Sequence, residues 1–71
     1  KAMSIKDQQE YVISSLPGVG SVLAKPLLKY FKSVKNVVNA EQKELENVEG
    51  IGKKKAEKIK EIVDREYQTL E

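Results

Sequence analysis

The segment Leu16-Pro17-Gly18-Val19-Gly20 returns 32 residues later as Val48-Glu49-Gly50-Ile51-Gly52. The frame holds downstream: Ala24 aligns with Ala56, Leu27 with Ile59, Tyr30 with Ile62 and Phe31 with Val63. A fixed shift that keeps both glycines and the apolar positions marks two copies of one supersecondary unit. Seventy-one residues leave no room for a second core, so both copies are expected inside one domain spanning residues 1–71.

Each copy reads helix, tight turn, helix. Ser4-Ile5-Lys6-Asp7 resembles a capping box and starts the first helix. Ile5, Gln9, Val12, Ile13 and Leu16 then share one face of it. Pro17 lacks an amide hydrogen and disfavours helix at Leu16, so the first helix ends there. Gly18 and Gly20 supply the backbone angles of the turn, and a second helix is predicted over Ser21 to Phe31. Ser33 caps a short connecting helix running through Val38, and Asn39 caps the next, over Ala40 to Asn47. After the second glycine turn a last helix is predicted from Lys53 to Tyr67. The expected fold is therefore all-α, five short helices: a first unit over 5–31, a connecting helix over 33–39 and a second unit over 40–67. Two residues strain this pattern. Pro26 inside the second helix should bend or shorten it, and Lys32 stands where a helix end favours glycine.

Composition narrows the chemistry. Cysteine is absent, which removes disulfides and thiolate metal sites, and histidine is absent, which removes the usual general base near neutral pH. No apolar run is long enough to span a bilayer. Lys1-Ala2-Met3 carries no signal-peptide pattern and looks like the cut edge of a longer protein. The missing cysteine fits the cytoplasm. Neither a Walker sequence nor a dinucleotide fingerprint is present, and no nucleophile, base and orienting group occur together. The carboxylate pairs Glu44/Glu46 and Glu57/Glu61 fit solvated helix faces better than a metal or acid–base centre. No catalytic residue, metal, cofactor or small-molecule substrate is expected.

A Gly-x-Gly turn entering a helix exposes backbone amides beside the positive end of the helix dipole, and together these hold a phosphate oxygen. Gly18, Val19, Gly20 and Ser21 form one such entry, and Gly50, Ile51, Gly52, Lys53 and Lys54 the other. Val19 and Ile51 are expected to point inward. A single turn of this kind is often only a tight helix connection, but two copies in one frame favour a ligand. The run Lys53-Lys54-Lys55 opposes the helix dipole by about 0.3–1 kcal/mol per exposed cation. A bound phosphate would reverse that penalty; the alternative is a solvated run offset by Glu57, one turn from Lys53.

Charge divides unevenly. Residues 1–35 hold six lysines against two acids, whereas residues 36–71 hold seven Lys/Arg against nine acids. On the helix after the first turn, Lys25, Lys29 and Lys32 form a stripe whose counterparts in the second copy are Glu57, Glu61 and Asp64. The copies are therefore expected to be unequal on a polyanion, unless the reversal is ordinary surface drift or the acidic stripe faces another protein. The apolar arc of the first post-turn helix, made by Leu23, Ala24, Leu27, Leu28, Tyr30 and Phe31, covers roughly 160°, wider than one buried face requires. Either the core wraps this helix from both sides, or the surplus meets a second copy of the chain, with Leu23, Tyr30, Tyr67 and Leu70 as candidate dimer contacts.

Three stretches now carry a resemblance: Tyr11 to Gly20, the Phe31-Lys32-Ser33-Val34 link, and Val48 to Gly52. Over about residues 8–67 the chain resembles the tandem helix-hairpin-helix domain, (HhH)2, of the XPF family, nearest its archaeal helicase–nuclease branch, with UvrC-type proteins second. The resemblance implies a DNA-repair module that binds forked, branched or single-strand/duplex junction DNA through its hairpins, dimerises, and positions a nuclease domain located elsewhere. It implies amide contacts from Gly18, Gly20, Gly50 and Gly52, with Lys25, Lys53 and Lys54 as basic helpers. The family's acidic nuclease cluster with its Glu-Arg-Lys core is absent here. The expected partner is DNA, with a homodimer, no membrane and a cytoplasmic, nucleoid-associated location. The rival is a protein-interaction platform with little DNA binding of its own.

Overall fold

The computed structural model describes residues 2–70 and consists, over those residues, of five helices and no strand: α1 (Ile5–Ser14), α2 (Gly20–Phe31), α3 (Val34–Asn39), α4 (Gln42–Leu45) and α5 (Lys53–Asp64). None of these helices is long and apolar enough to cross a membrane. α1 packs on α2 and α4 on α5, so each repeat is a helix pair closed by its glycine turn, and α3, the bridge between them along the chain, packs on α1 and α2 of the first repeat.

Local sequence explains most boundaries. The Ser4 hydroxyl accepts the Asp7 amide at 3.0 Å, capping α1. α2 runs unbroken through Pro26 to Phe31. The proline removes one helical donor to the Val22 carbonyl, but Val22 is exposed, so water can take that donor's place. The helix then stops because Lys32 itself takes the left-handed conformation (φ +80) and donates its amide to the Leu28 carbonyl at 2.7 Å. Ser33 caps α3 by accepting the Asn36 amide, and the Asn36 side chain donates back to the Phe31 carbonyl at 2.8 Å, which closes the link between repeats.

Three expected boundaries are corrected. Asn39 does not cap a helix; it is the last residue of α3, and Ala40 leaves the helix in an extended conformation. α4 is shorter than the predicted Ala40–Asn47 and is capped by Glu41, which exchanges capping-box bonds with Glu44. α5 ends at Asp64 rather than Tyr67. Beyond Arg65, Tyr67 and Leu70 are 84% and 93% exposed, so no burial sustains a further turn.

The core repeats with the sequence. Ile13 and Leu45, Val19 and Ile51, Ala24 and Ala56, and Leu27 and Ile59 are all buried, and each pair is related by the 32-residue shift. Val37 and Ala40 of the bridge and Val48 complete this cluster, with Leu16, Leu23, Leu28, Phe31, Val34 and Val63 packed around it. The apolar arc of α2 is thus largely absorbed by the chain's own core. On α1 only Ile13 of the predicted apolar face is fully buried; Ile5 and Val12 are exposed.

Candidate nucleic-acid interface

Both turns lie at the surface, with Gly18, Gly20, Gly50 and Gly52 exposed. Val19 and Ile51 point inward and are nearly inaccessible. Their amides donate to the Leu16 and Val48 carbonyls at 3.1 and 3.0 Å. These two residues therefore build the turns, and their amides are engaged within them. Among the described residues, no acceptor is found for the amides of Gly18, Gly20 and Ser21 at the mouth of α2. The same holds for Gly50, Gly52, Lys53 and Lys54 at the mouth of α5. Each repeat thus presents a cluster of free donors at the positive end of a twelve-residue helix.

The glycines are not equivalent. Gly18, Gly20 and Gly50 have positive φ (+74, +62 and +95), so conformation alone selects glycine there. Gly52 has φ −88 and ψ −174, open to any residue, and a Cβ built on it meets nothing within 4 Å. Neither backbone nor packing requires glycine at position 52.

The two repeats interlock through their turns. A Cβ on Gly50 would lie 2.6 Å from Leu23 Cδ2, and a Cβ on Gly18 would lie 3.2 Å from Lys55 Cγ. Leu23 and Lys55 are themselves related by the 32-residue shift, as are Gly18 and Gly50. Each hairpin is therefore covered by the post-turn helix of the other repeat. Lys55 also reaches toward the Gly50 carbonyl at 3.5 Å, so one side chain touches both turns. Lys54, Lys55 and Lys58 surround Pro17 and Gly18 in a cleft of about 370 Å³. Lys55 and Lys58 lay outside the predicted site; the packing of the two repeats, which sequence spacing does not give, brings them to the first hairpin.

The remaining predicted residues fall in three places. Lys25 and Lys29 line a groove between α1 and α2, together with Lys6, Gln9, Glu10, Leu28 and Lys32. There Glu10 pairs with Lys6 at 3.3 Å and with Lys25 at 3.8 Å, so Lys25 is already partly compensated. In the acidic stripe of α5, Glu61 pairs with Arg65 at 2.8 Å and Asp64 with Lys60 at 3.5 Å. Glu44 is engaged in the α4 cap, and Glu46 accepts from Gln42. Of the candidate dimer contacts, Leu23 is half-buried against Gly50. Tyr30 stacks edge-on against Phe31, its ring centre 4.8 Å away, and accepts from the Asn47 side chain while staying half exposed. Tyr67 and Leu70 lie free on the surface.

Known proteins share this arrangement. The family model described as SAM-like helix-hairpin-helix tandem matches residues 10–64. A Methanocaldococcus jannaschii protein described as an ATP-dependent RNA helicase is 52% identical over 94% of the chain. The 3′-flap repair endonuclease Xpf of Saccharolobus solfataricus is 43% identical over 94%, and the UvrABC system protein C of Wolbachia pipientis is 39% identical over 93%. The chain spans only 9%, 28% and 11% of these relatives' lengths, respectively. The structure of XPF from Aeropyrum pernix in complex with DNA superposes with a TM-score of 0.87 and 36% identity, over 94% of this chain and 34% of that one. The same XPF without DNA gives 0.86. The XPF-type resemblance read from the hairpins is borne out, and the chain belongs to the SAM-like helix-hairpin-helix tandem family.

Proposed function

We propose that this chain is a non-catalytic DNA-binding module that grips the phosphate backbone through its two glycine hairpins. Within a longer protein it would hold forked or branched DNA for a helicase or nuclease region located elsewhere. The supporting geometry is the pair of surface turns whose free amides sit at helix mouths, an arrangement suited to phosphate oxygens. Gly52, the N-cap of α5, carries the reading: its backbone angles and the space around it would admit a capping side chain, and having none leaves the backbone open to a phosphate. The relatives point the same way, since the DNA complex of XPF has this fold and one of the similar proteins is named a 3′-flap repair endonuclease. Self-association through Tyr30, Tyr67 and Leu70 is part of the proposal, because these side chains remain exposed.

The test is binding of labelled forked and plain duplex DNA by the whole chain across a salt series. Backbone binding predicts that log affinity falls linearly with log salt, at about 0.9 per phosphate contacted. Gly52→Ala should weaken binding severalfold while the unfolding free energy stays within about 1 kcal/mol of the parent. Absence of salt-dependent binding to either DNA, with the chain folded, would leave only the interaction-platform reading.

A further inference from the structure

The interlocked repeats allow the surroundings of the two hairpins to be matched position by position. Around the first hairpin stand Pro17, Gly18, Lys54, Lys55 and Lys58. Their counterparts at the 32-residue shift are Glu49, Gly50, Val22, Leu23 and Pro26. The correspondence is direct at its centre, where Lys55 lies on Gly18 and Leu23 on Gly50. The first hairpin therefore has three lysines along its cleft, whereas the side chain covering Gly50 is Leu23; of the three lysines only Lys55 also reaches the second turn, through the 3.5 Å contact to the Gly50 carbonyl. This polarity is opposite to that of the helices' outer stripes, where the first repeat is the basic one.

The three lysines carry their charge unmatched: among the described residues, none of them pairs with a carboxylate. Like charges gathered around one cleft repel each other, and a polyanion in that cleft removes the repulsion. The aliphatic stem of Lys55 lies against Gly18, where the absent Cβ makes room for it, while its ammonium makes only a long contact to the Gly50 carbonyl. It is therefore free to turn to a stronger acceptor.

We infer that the principal phosphate site is composite: the first hairpin supplies the floor and free amides, and the second repeat supplies Lys54, Lys55 and Lys58. The second hairpin, with Leu23 packed over Gly50, is the weaker anion site. This inference rests on the proposal that the chain grips a phosphate backbone, and it assigns the main contact to one place on that surface.

Two charge-matched double variants of the whole chain test it, with plain duplex DNA as the probe and circular dichroism confirming the helices. Lys54→Gln with Lys58→Gln should lower affinity about tenfold or more and reduce the salt slope by about 1.8. Lys25→Gln with Lys29→Gln, on the groove where Glu10 already compensates one cation, should lower affinity less than about threefold. Lys55→Leu, which copies the residue at the matched position, should leave thermal stability unchanged and still weaken binding. If the parent binds with the expected salt dependence but the two double variants lose equally, the composite site is wrong while backbone gripping stands. If the parent itself shows no salt-dependent binding, both fall together.

Discussion

The two hairpins share a backbone plan but differ in what covers them. Gly50 is closed by a leucine side chain, half-buried and short, whereas Gly18 is closed by a lysine stem whose ammonium remains at the surface. The repeats match at the positions that build the shared core, namely Ile13 and Leu45, Val19 and Ile51, Leu27 and Ile59. They differ at the covering positions, where Leu23 closes one turn and Lys55 the other. Equivalence in the core and inequality at the surface can be tested separately.

The largest effects should come from the core, and they should be equal. Leu27→Ala and Ile59→Ala each remove a side chain that is wholly buried, so each should cost about 2–5 kcal/mol in urea denaturation. Equivalence of the repeats inside the domain fails if one of the pair is nearly silent.

The hairpin glycines should separate next. Gly50→Ala combines a positive φ with a Cβ placed 2.6 Å from Leu23, which must leave its preferred rotamer, for a total of about 2–3 kcal/mol. Gly18→Ala carries the same kind of backbone cost but meets a pliable lysine stem at 3.2 Å, so about 1–2 kcal/mol is expected. Equal losses would mean that the covering side chain does not distinguish the turns.

Positions 32 and 64 are related by the same shift yet should respond with opposite sign to glycine. Lys32 sits at φ +80, so Lys32→Gly should raise stability by about 1 kcal/mol. Asp64 closes α5 and pairs with Lys60, so Asp64→Gly should lower it by about 0.5–1 kcal/mol. Thermal melts of the two variants, side by side, show whether the left-handed lysine is a strained helix end.

The smallest effect concerns the groove between α1 and α2. Glu10→Gln removes a surface carboxylate shared by Lys6 and Lys25, and stability should change by less than about 1 kcal/mol. Its effect on DNA affinity should be a modest rise, because Lys25 is released. A fall in affinity would mean that Glu10 orients Lys25 for binding instead of competing for it.

Much of the fold was legible because repetition and glycine spacing constrain short-range geometry. Val19 and Ile51, apolar residues held between glycines, had few alternatives to pointing inward. Ser4 and Ser33 acted as the caps their positions suggested. The misses arose where local signals compete. Asn39 is a good cap by type, but the extended Ala40 is buried and moves the next helix start to Glu41. Periodicity carried α5 too far because an apolar pattern at Tyr67 and Leu70 does not show whether a surface exists to receive it. Within the candidate site, the free amides followed from the turn sequence. The cross-repeat lysines did not: chain proximity puts Lys54 at the second hairpin, and only packing across the repeats also brings it beside Pro17 and Gly18.

The central claim is that backbone amides at the two turns meet a phosphate backbone. Titrating isotope-labelled chain with duplex DNA and following each amide by two-dimensional NMR tests it most directly. The largest shifts are expected at Gly18, Gly20 and Ser21, followed by Gly52, Lys53 and Lys54, with Val19 and Ile51 little changed. Saturable binding that leaves all six of those turn amides unmoved, while signals elsewhere on the helices shift, would contradict the account.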